Sequence, residues 1–402
     1  MSERVFVVGV GMTKFEKPGR PTEHEAPWDY PSMAHEAGTA ALADARIRFD
    51  DVQLAVASYV YGDSTSGTRA VYELGETGIP VLNVNSNCSS GSNALYLARQ
   101  LLRSGETDVA LALGFEKMQR GSLSEGYADR ESPLRRIRES VEARYPSSGM
   151  PMTLEIFGAA GLEHMERYGT TAEQFGRVAE KNHRHSRDNA RSQFRDVYSL
   201  DEIMDSPGYY GPLTKLMCSP TSDGAAAAIL MTERGVERYG LAAQAVEIVG
   251  QALVTDQPDS FDGSSAIAAS GAGLTQRAAR QVYDATGYGP EDVDVIELHD
   301  CFATNELISY EGLGLCGAGQ GGALIDSGDA TYGGRWVINP SGGLIAKGHP
   351  LGATGIAQCA ELTWQLRGLA GERQVDGAAR ALQHNIGLGG SAVVSMYAAP
   401  AA

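Results

Sequence analysis

Two apolar patterns alternate along this chain: short β-branched runs, and longer stretches whose apolar residues recur at helical spacing. The run Val5-Phe-Val-Val-Gly-Val10 reads as a first core strand. A helix over residues 33–45, the acidic pair Asp50-Asp51 and a strand over 54–60 follow it. The same order returns later, with a strand over 246–250, a helix over 274–285, Glu291-Asp292 and a strand over 293–298. A second echo pairs two further segments. Residues 83–88 precede a helix over 93–103 and a strand over 109–114, and residues 339–349 precede a helix over 355–367 and strand-like 381–397. Two echoes in one order indicate an internal duplication, hence two similar α/β halves of strand–helix–strand units. The halves are expected over residues 1–245 and 246–402.

Residues 115–210 break the pattern. They are polar, rich in Arg, Glu and Ser, and lack long β-branched runs, with helices expected over 154–168 and 172–185. This stretch reads as an insertion lying over the surface of the first half.

A length of 402 residues suits two core-forming units, since one core rarely exceeds roughly 250–300 residues. The net charge of −17 argues against a nucleic-acid or anionic-membrane partner, and it leaves any anionic ligand in need of a local basic patch. Two basic clusters stand out, Arg135-Arg136/Arg138 and Arg177/Lys181/Arg184/Arg187/Arg191/Arg195. Each is either a solvated helix face with compensating acids or a landing site for phosphates.

Five scattered cysteines without a C-x-x-C pair fit reduced thiols better than a disulfide framework or a zinc site, so no metal is expected. The first apolar run is too short for a secretory signal or a membrane span. The tail after Tyr397 carries no peroxisomal address. A soluble, cytoplasmic protein is the expectation.

Candidate chemistry gathers at four places. In Asn87-Cys88-Ser89-Ser90-Gly91 a cysteine sits between a strand-like run and a helix. Free N–H groups at a helix start favour thiolate over thiol, which suits a nucleophile. The alternative is a buried small apolar residue. In the glycine-punctuated stretch from Asn339 to Gly355, His349 lies at the turn before Pro350, as a base titrating near neutrality or as a plain surface residue. His299-Asp300-Cys301-Phe302 follows a strand, at the end where α/β folds bind ligands. His384-Asn385-Ile386-Gly387 precedes the last strand. Gly317 to Gly322 matches G-x-G-x-x-G but follows no strand, so it reads as a flexible loop rather than a dinucleotide site.

Cys88 early, His299-Asp-Cys-Phe302 late, Gly348-His-Pro350 and a glycine-rich end together resemble the thiolase superfamily over nearly the whole chain. The match is closest to the sterol-carrier-protein type, whose late motif reads His-Asp-Cys-Phe where common thiolases have Asn-Glu-Ala-Phe. Lys181-Asn-His-Arg-His185, Ser192-Gln-Phe194, Tyr198-Ser-Leu-Asp-Glu202 and the run from Cys218 to Ala228 also look like that subgroup. The chain ends soon after its last strand, so the lipid-carrier domain fused to some relatives is not expected.

The resemblance implies a thiolase fold, with duplicated βαβ-type halves in a five-layered α-β-α-β-α arrangement and an inserted loop region. It implies an acyltransferase that cleaves 3-oxoacyl-CoA with CoA, giving acetyl-CoA or propionyl-CoA and a shortened acyl-CoA, in fatty acid or sterol side-chain degradation. A biosynthetic acetoacetyl-CoA-forming condensation and a non-catalytic acyl-CoA- or lipid-binding subunit are the alternatives. By the same resemblance Cys88 would be acylated, His349 would activate it, and His299 would hold the enolate oxygen. Cys301 would serve as acid and base, a task that common thiolases give to a cysteine at the position of Asn385. The N–H groups of Cys88 and Gly387 would form a second oxyanion hole, and Ser219 would contact the pantetheine.

CoA enters as a substrate, with no permanently bound cofactor. A homodimer is implied, with a dimer of dimers or a small accessory protein as alternatives, and with strand 109–114 as a candidate interface. Met150, Met152, Leu154, Phe157 and Met165 either line an acyl tunnel or pack beneath it, and their helical spacing favours packing.

Overall fold

The computed structural model of the protein describes residues 3–19, 28–119, 121–123, 127 and 129–400; the end of the tail, Ala401-Ala402, lies outside the described residues. Its strands are β1 (Val5–Met12), β2 (Leu54–Ser58), β3 (Val81–Val84), β4 (Val109–Glu116), β5 (Gly224–Thr232), β6 (Val246–Val254), β7 (Val295–Glu297), β8 (Val337–Ile338), β9 (Arg380–Gly387) and β10 (Ser391–Ala398). They run in the order β3-β2-β4-β5-β1-β6-β10-β9-β7-β8. Read outward from the β1/β6 junction, both halves have one topology, with β6 to β10 repeating β1 to β5. In each, the second strand pairs in parallel with the third and fourth, while the fourth, fifth and first pair antiparallel. β1 and β6 pair at Phe6↔Glu247 and Val7↔Val246.

Strands such as β4 (VALALGFE) are apolar without alternation because both faces are covered. Tyr30–Asp44 lies on the outer face of the first half, and Ala272–Thr286 packs against β6 and β10 on the outer face of the second. Between the halves run Ser90–Arg103 and Leu351–Leu366, the latter buried nearly all round, as a helix enclosed by the two halves of the sheet must be. Five layers result.

The two central helices begin against each other, and glycine makes that approach possible. A Cβ at Gly91 would fall 2.9 Å from the Gly352 carbonyl, one at Gly114 2.2 Å from the same oxygen, and one at Gly355 2.2 Å from Ser92 Oγ. Since Cys88 and His349 immediately precede these helices, this contact is what brings them together.

Several expectations shift. The central helices start earlier than predicted, at Ser90 and Leu351. β5 was not anticipated: its run Gly-Ala-Ala-Ala-Ala has little β-propensity and becomes a strand by pairing with β1 and β4. β4 is flanked on both sides and buried on both faces, so it cannot be a subunit interface; the sheet edge on that side is β3. Gly321 and Gly322 open a short helix packed on Leu307 and Gln174 rather than a free loop. The helix Met152–Tyr168 splits its packing. Ile156, Ala159 and Ala160 join Ala266, Ala269 and Ile308, while Phe157 enters the core of the second half.

Candidate active site

Three loops and one turn converge where the halves meet. Cys88, His299, Cys301, Ser219, His349 and Gly387 all line one cleft of about 720 Å³ that opens to solvent. Phe157, Phe302, Leu274, Ile386 and Leu388 supply its apolar walls. Cys88 also lies on the wall of a second, larger cavity with Tyr61, Asn87 and Lys117. The six candidate site residues are therefore at one place, and each element contributes by a traceable contact.

The Cys88 loop is held in a tight turn. Asn87 adopts φ +52°, a left-handed conformation that Asn tolerates better than most residues, and its Nδ2 donates to the Leu388 carbonyl at 2.6 Å. Gly387 lies against this loop so closely that a Cβ there would sit 2.0 Å from the Ser86 carbonyl. The His349 turn is anchored by its N–H, which donates to Ser222 Oγ at 2.9 Å. Glu116 ties the next residues down, accepting from the N–H groups of Tyr61 (2.9 Å), Val60 (3.1 Å) and Gly352 (3.0 Å). Burial pushes that carboxyl up to about 7. Asp300 joins the remaining two loops, accepting from the N–H groups of Leu344 (2.7 Å) and Ile345 (3.2 Å) and from Asn182 Nδ2 (2.8 Å). Ser219 donates its N–H to the Cys301 carbonyl at 2.9 Å.

The candidate reactive atoms are close. Cys88 Sγ and a ring nitrogen of each of His299 and His349 lie within 4.8 Å of one another. The Nδ1 of His349 bonds Thr354 Oγ1 at 2.7 Å, and that hydroxyl in turn donates to the Pro350 carbonyl at 3.0 Å, so Nδ1 carries the proton. His349 Nε2 is thus a bare lone pair, buried and without a hydrogen-bond partner. Burial lowers His349 to about 3 and holds His299 well below the ordinary histidine value, so both rings are neutral.

Cys88 departs from expectation. Burial outweighs the helix-terminal field and, with the Glu116 carboxylate adding to it, pushes the thiol up to about 12. Burial and the neighbouring Cys88 raise Cys301 as well. The resting pair is thiol and neutral imidazole, not thiolate and imidazolium. Alkylation of Cys88 by iodoacetamide should therefore accelerate steadily as pH rises from 6 to 9, because the reactive thiolate fraction is small and still growing. A plateau near pH 7, followed by peptide mass mapping, would instead reveal a preformed ion pair.

The basic clusters largely find protein partners. Lys181 is buried against Glu306, Arg177 pairs with Asp326 at 3.2 Å, Arg187 with Asp188 at 3.0 Å, and Arg191 stacks on Trp364 at 4.4 Å. Arg135 faces Glu131 and Glu139, and Arg136 lies over Phe261. Compensation by acids, the first of the two readings, describes Arg135, Arg177 and Arg187, whereas Arg136 and Arg191 lie over aromatic rings and Lys181 is a buried partner of Glu306. Of the candidate tunnel residues, Phe157 lines the cleft and Met152 the second cavity, while Leu154 is core.

Thr354 and Glu116 escaped the sequence reading. Thr354 was visible only as the fifth residue after His349. Glu116 had no local signal, because its partners lie about 55 and 236 residues away.

Comparison with known proteins identifies the family. Residues 5–234 match the family "Thiolase, N-terminal domain" and residues 250–398 match "Thiolase C-terminal domain-like". The chain is 59% identical to sterol carrier protein 2 of Rattus norvegicus, over 98% of this chain and 72% of that protein. It is 35% identical to an acetyl-CoA acetyltransferase of Methanothermobacter thermautotrophicus, over 98% and 99% of the two chains. Among solved structures, the Ltp2-ChsH2(DUF35) aldolase superposes with a TM-score of 0.82 at 21% identity, over 99% of this chain and 98% of the other, a likeness of fold. The chain belongs to the thiolase family, as an acyltransferase of the sterol-carrier-protein-2-like branch.

Proposed function

We propose that this protein cleaves 3-oxoacyl-CoA with CoA, releasing acetyl-CoA (or propionyl-CoA from a 2-methyl substrate) and a shortened acyl-CoA, in the breakdown of fatty acyl or sterol side chains. The observation that carries the reading is the buried, unpartnered His349 Nε2 beside the Cys88 thiol. A binding subunit would have no use for an orphaned base next to a sulfur, since a buried polar atom without a partner costs about 1–3 kcal/mol.

The steps follow from the groups present. His349 Nε2 takes the Cys88 proton as sulfur adds to the C3 carbonyl. The N–H groups of Cys88 and Gly387 hold the resulting oxyanion. The C2–C3 bond breaks, the acyl group stays on Cys88, and the electrons move into an enolate. A ring N–H of His299 and the newly formed His349 imidazolium stabilise the enolate oxygen. Cys301 delivers its proton to C2, and acetyl-CoA leaves. The Cys301 thiolate then takes the proton of incoming CoA, whose sulfur attacks the acyl-Cys88. Cys88 departs and recovers its proton from His349. A thiol suits the acid and base task because the group it serves is itself a thiol, of the same ordinary pKa.

His299→Ala and His349→Ala should each lower kcat by roughly 10²-fold or more, with smaller changes in KM, because their donors act on charge present only during reaction. Steady-state kinetics on acetoacetyl-CoA and on a longer 3-oxoacyl-CoA, with and without CoA, tests the assignment. Intact-protein mass reads the acyl adduct. Substrate loss that does not require CoA, or tight binding with no adduct from any substrate, would overturn it. The same reading carries a cytoplasmic homodimer, formed at the β3 edge rather than at β4 and checked by light scattering.

A further inference from the structure

Two neutral histidines face one reaction centre, and a neutral imidazole offers a donor on one nitrogen and an acceptor on the other. His349 presents its lone pair to the site. The opposite arrangement at His299 is decided by a buried relay on β9, β10 and the Ser90–Arg103 helix. Its fixed point is the Gly355 carbonyl, which can only accept, so Gln383 Nε2 must face it (2.6 Å). Tyr397 donates its hydroxyl to Gln383 Oε1 at 2.5 Å, which agrees with that orientation. Gln383 Nε2 also donates to Ser92 Oγ at 2.9 Å. Ser92 has one proton left to give, and it goes to Asn385 Oδ1 at 2.9 Å. With its oxygen so occupied, Asn385 turns Nδ2 toward His299 Nδ1 at 2.8 Å. Nδ1 must then accept, and the ring proton must sit on Nε2. All five side chains are buried.

We propose that Asn385, oriented by Ser92 and Gln383, is a positioning residue that locks His299 in its Nε2–H tautomer, so that His299 is a donor to the reacting oxygen while His349 is the base. The relay crosses from one half of the molecule to the other, so the second histidine has its donor side set only when the halves are assembled. Its catalytic consequence rests on the proposed reaction; the tautomer itself does not.

The test is ¹⁵N NMR of the intact protein labelled in its histidine rings, with the His299 signals identified by their loss in His299→Asn. The expected wild-type spectrum has a bare Nδ1 and a protonated Nε2 at His299. Asn385→Asp, which can only accept, should protonate Nδ1. Asn385→Leu, which removes the donor at similar size, should give both tautomers. It should also lower kcat about tenfold or more with KM nearly unchanged, as expected when a ring is no longer held in its working tautomer. A protonated Nδ1 in the wild type, or a bare Nδ1 in Asn385→Asp, would overturn the proposal. So would a single Nε2–H form surviving in Asn385→Leu. Because the spectra need no turnover, absence of thiolysis in the wild type would sink the proposed reaction while the tautomer assignment still stands or falls on its own signals.

Discussion

Cys88→Ala should abolish the acyl adduct and lower CoA-dependent cleavage by roughly 10⁴-fold or more, because Cys88 is the thiol held beside the bare His349 Nε2 that would take its proton in forming the covalent intermediate. The change is small in volume at a half-buried position, so unfolding free energy should move by no more than about 1 kcal/mol. The comparison with Cys301→Ala makes the experiment specific. That variant keeps the Cys88 thiol and its base, so iodoacetamide should still label Cys88, while turnover falls by roughly 10²–10⁴-fold through loss of the acid and base. Intact-protein mass and initial rates together decide the matter. Persistence of an adduct in Cys88→Ala would move the nucleophile elsewhere.

Lys181→Met should have the largest effect on stability, about 3–5 kcal/mol, for a reason unrelated to catalysis. Lys181 is buried, and its Nζ lies against Glu306 and donates to the Ile338 carbonyl at 3.0 Å. Glu306 further accepts from Tyr310 Oη (2.6 Å), Asn182 Nδ2 (2.6 Å) and Asn339 Nδ2 (3.0 Å), and Asn182 reaches Asp300. Removing the only cation among these groups leaves a buried carboxylate facing neutral donors and a second carboxyl. Burial and the Glu306 charge already hold Asp300 well above its ordinary value. Lys181→Met/Glu306→Gln removes both charges together and should recover most of the loss. Urea denaturation of the single and double variants measures this. A single-variant cost below about 1 kcal/mol would show that the pair contributes little. Because Asn339 and Asp300 also shape the loops carrying His299 and His349, the folded fraction of Lys181→Met should turn over more slowly as well.

The alternation of β-branched runs with helical spacing, repeated in the same order, was enough to anticipate two α/β halves, since the 2- and 3.6-residue periods are local properties. The candidate site residues were legible too, in that Cys88, Ser219, His299, Cys301, His349 and Gly387 line one cleft. Cys88, His299, Cys301 and His349 lie in turns at strand and helix ends, and those around Cys88 and His349 are punctuated by glycine. The resemblance of those turns to one family supplied roles that spacing by itself does not carry.

Other features depend on neighbours distant in sequence. The alanine run of β5 became a strand because β1 and β4 accept it. Lys181, one of several basic residues in a polar stretch, proved to be a buried counter-ion, which no local pattern distinguishes from a solvated one. The helix start at Cys88 suggested a thiolate, yet enclosure by the second half made the thiol the resting form, because removing water penalises charge more than the helix terminus rewards it. The sequence by itself determined most of the elements, their duplication and the candidate residues for the proposed chemistry. The tertiary structure alone decided protonation and tautomer, because these follow from burial and from hydrogen-bond partners that the fold brings together from both halves.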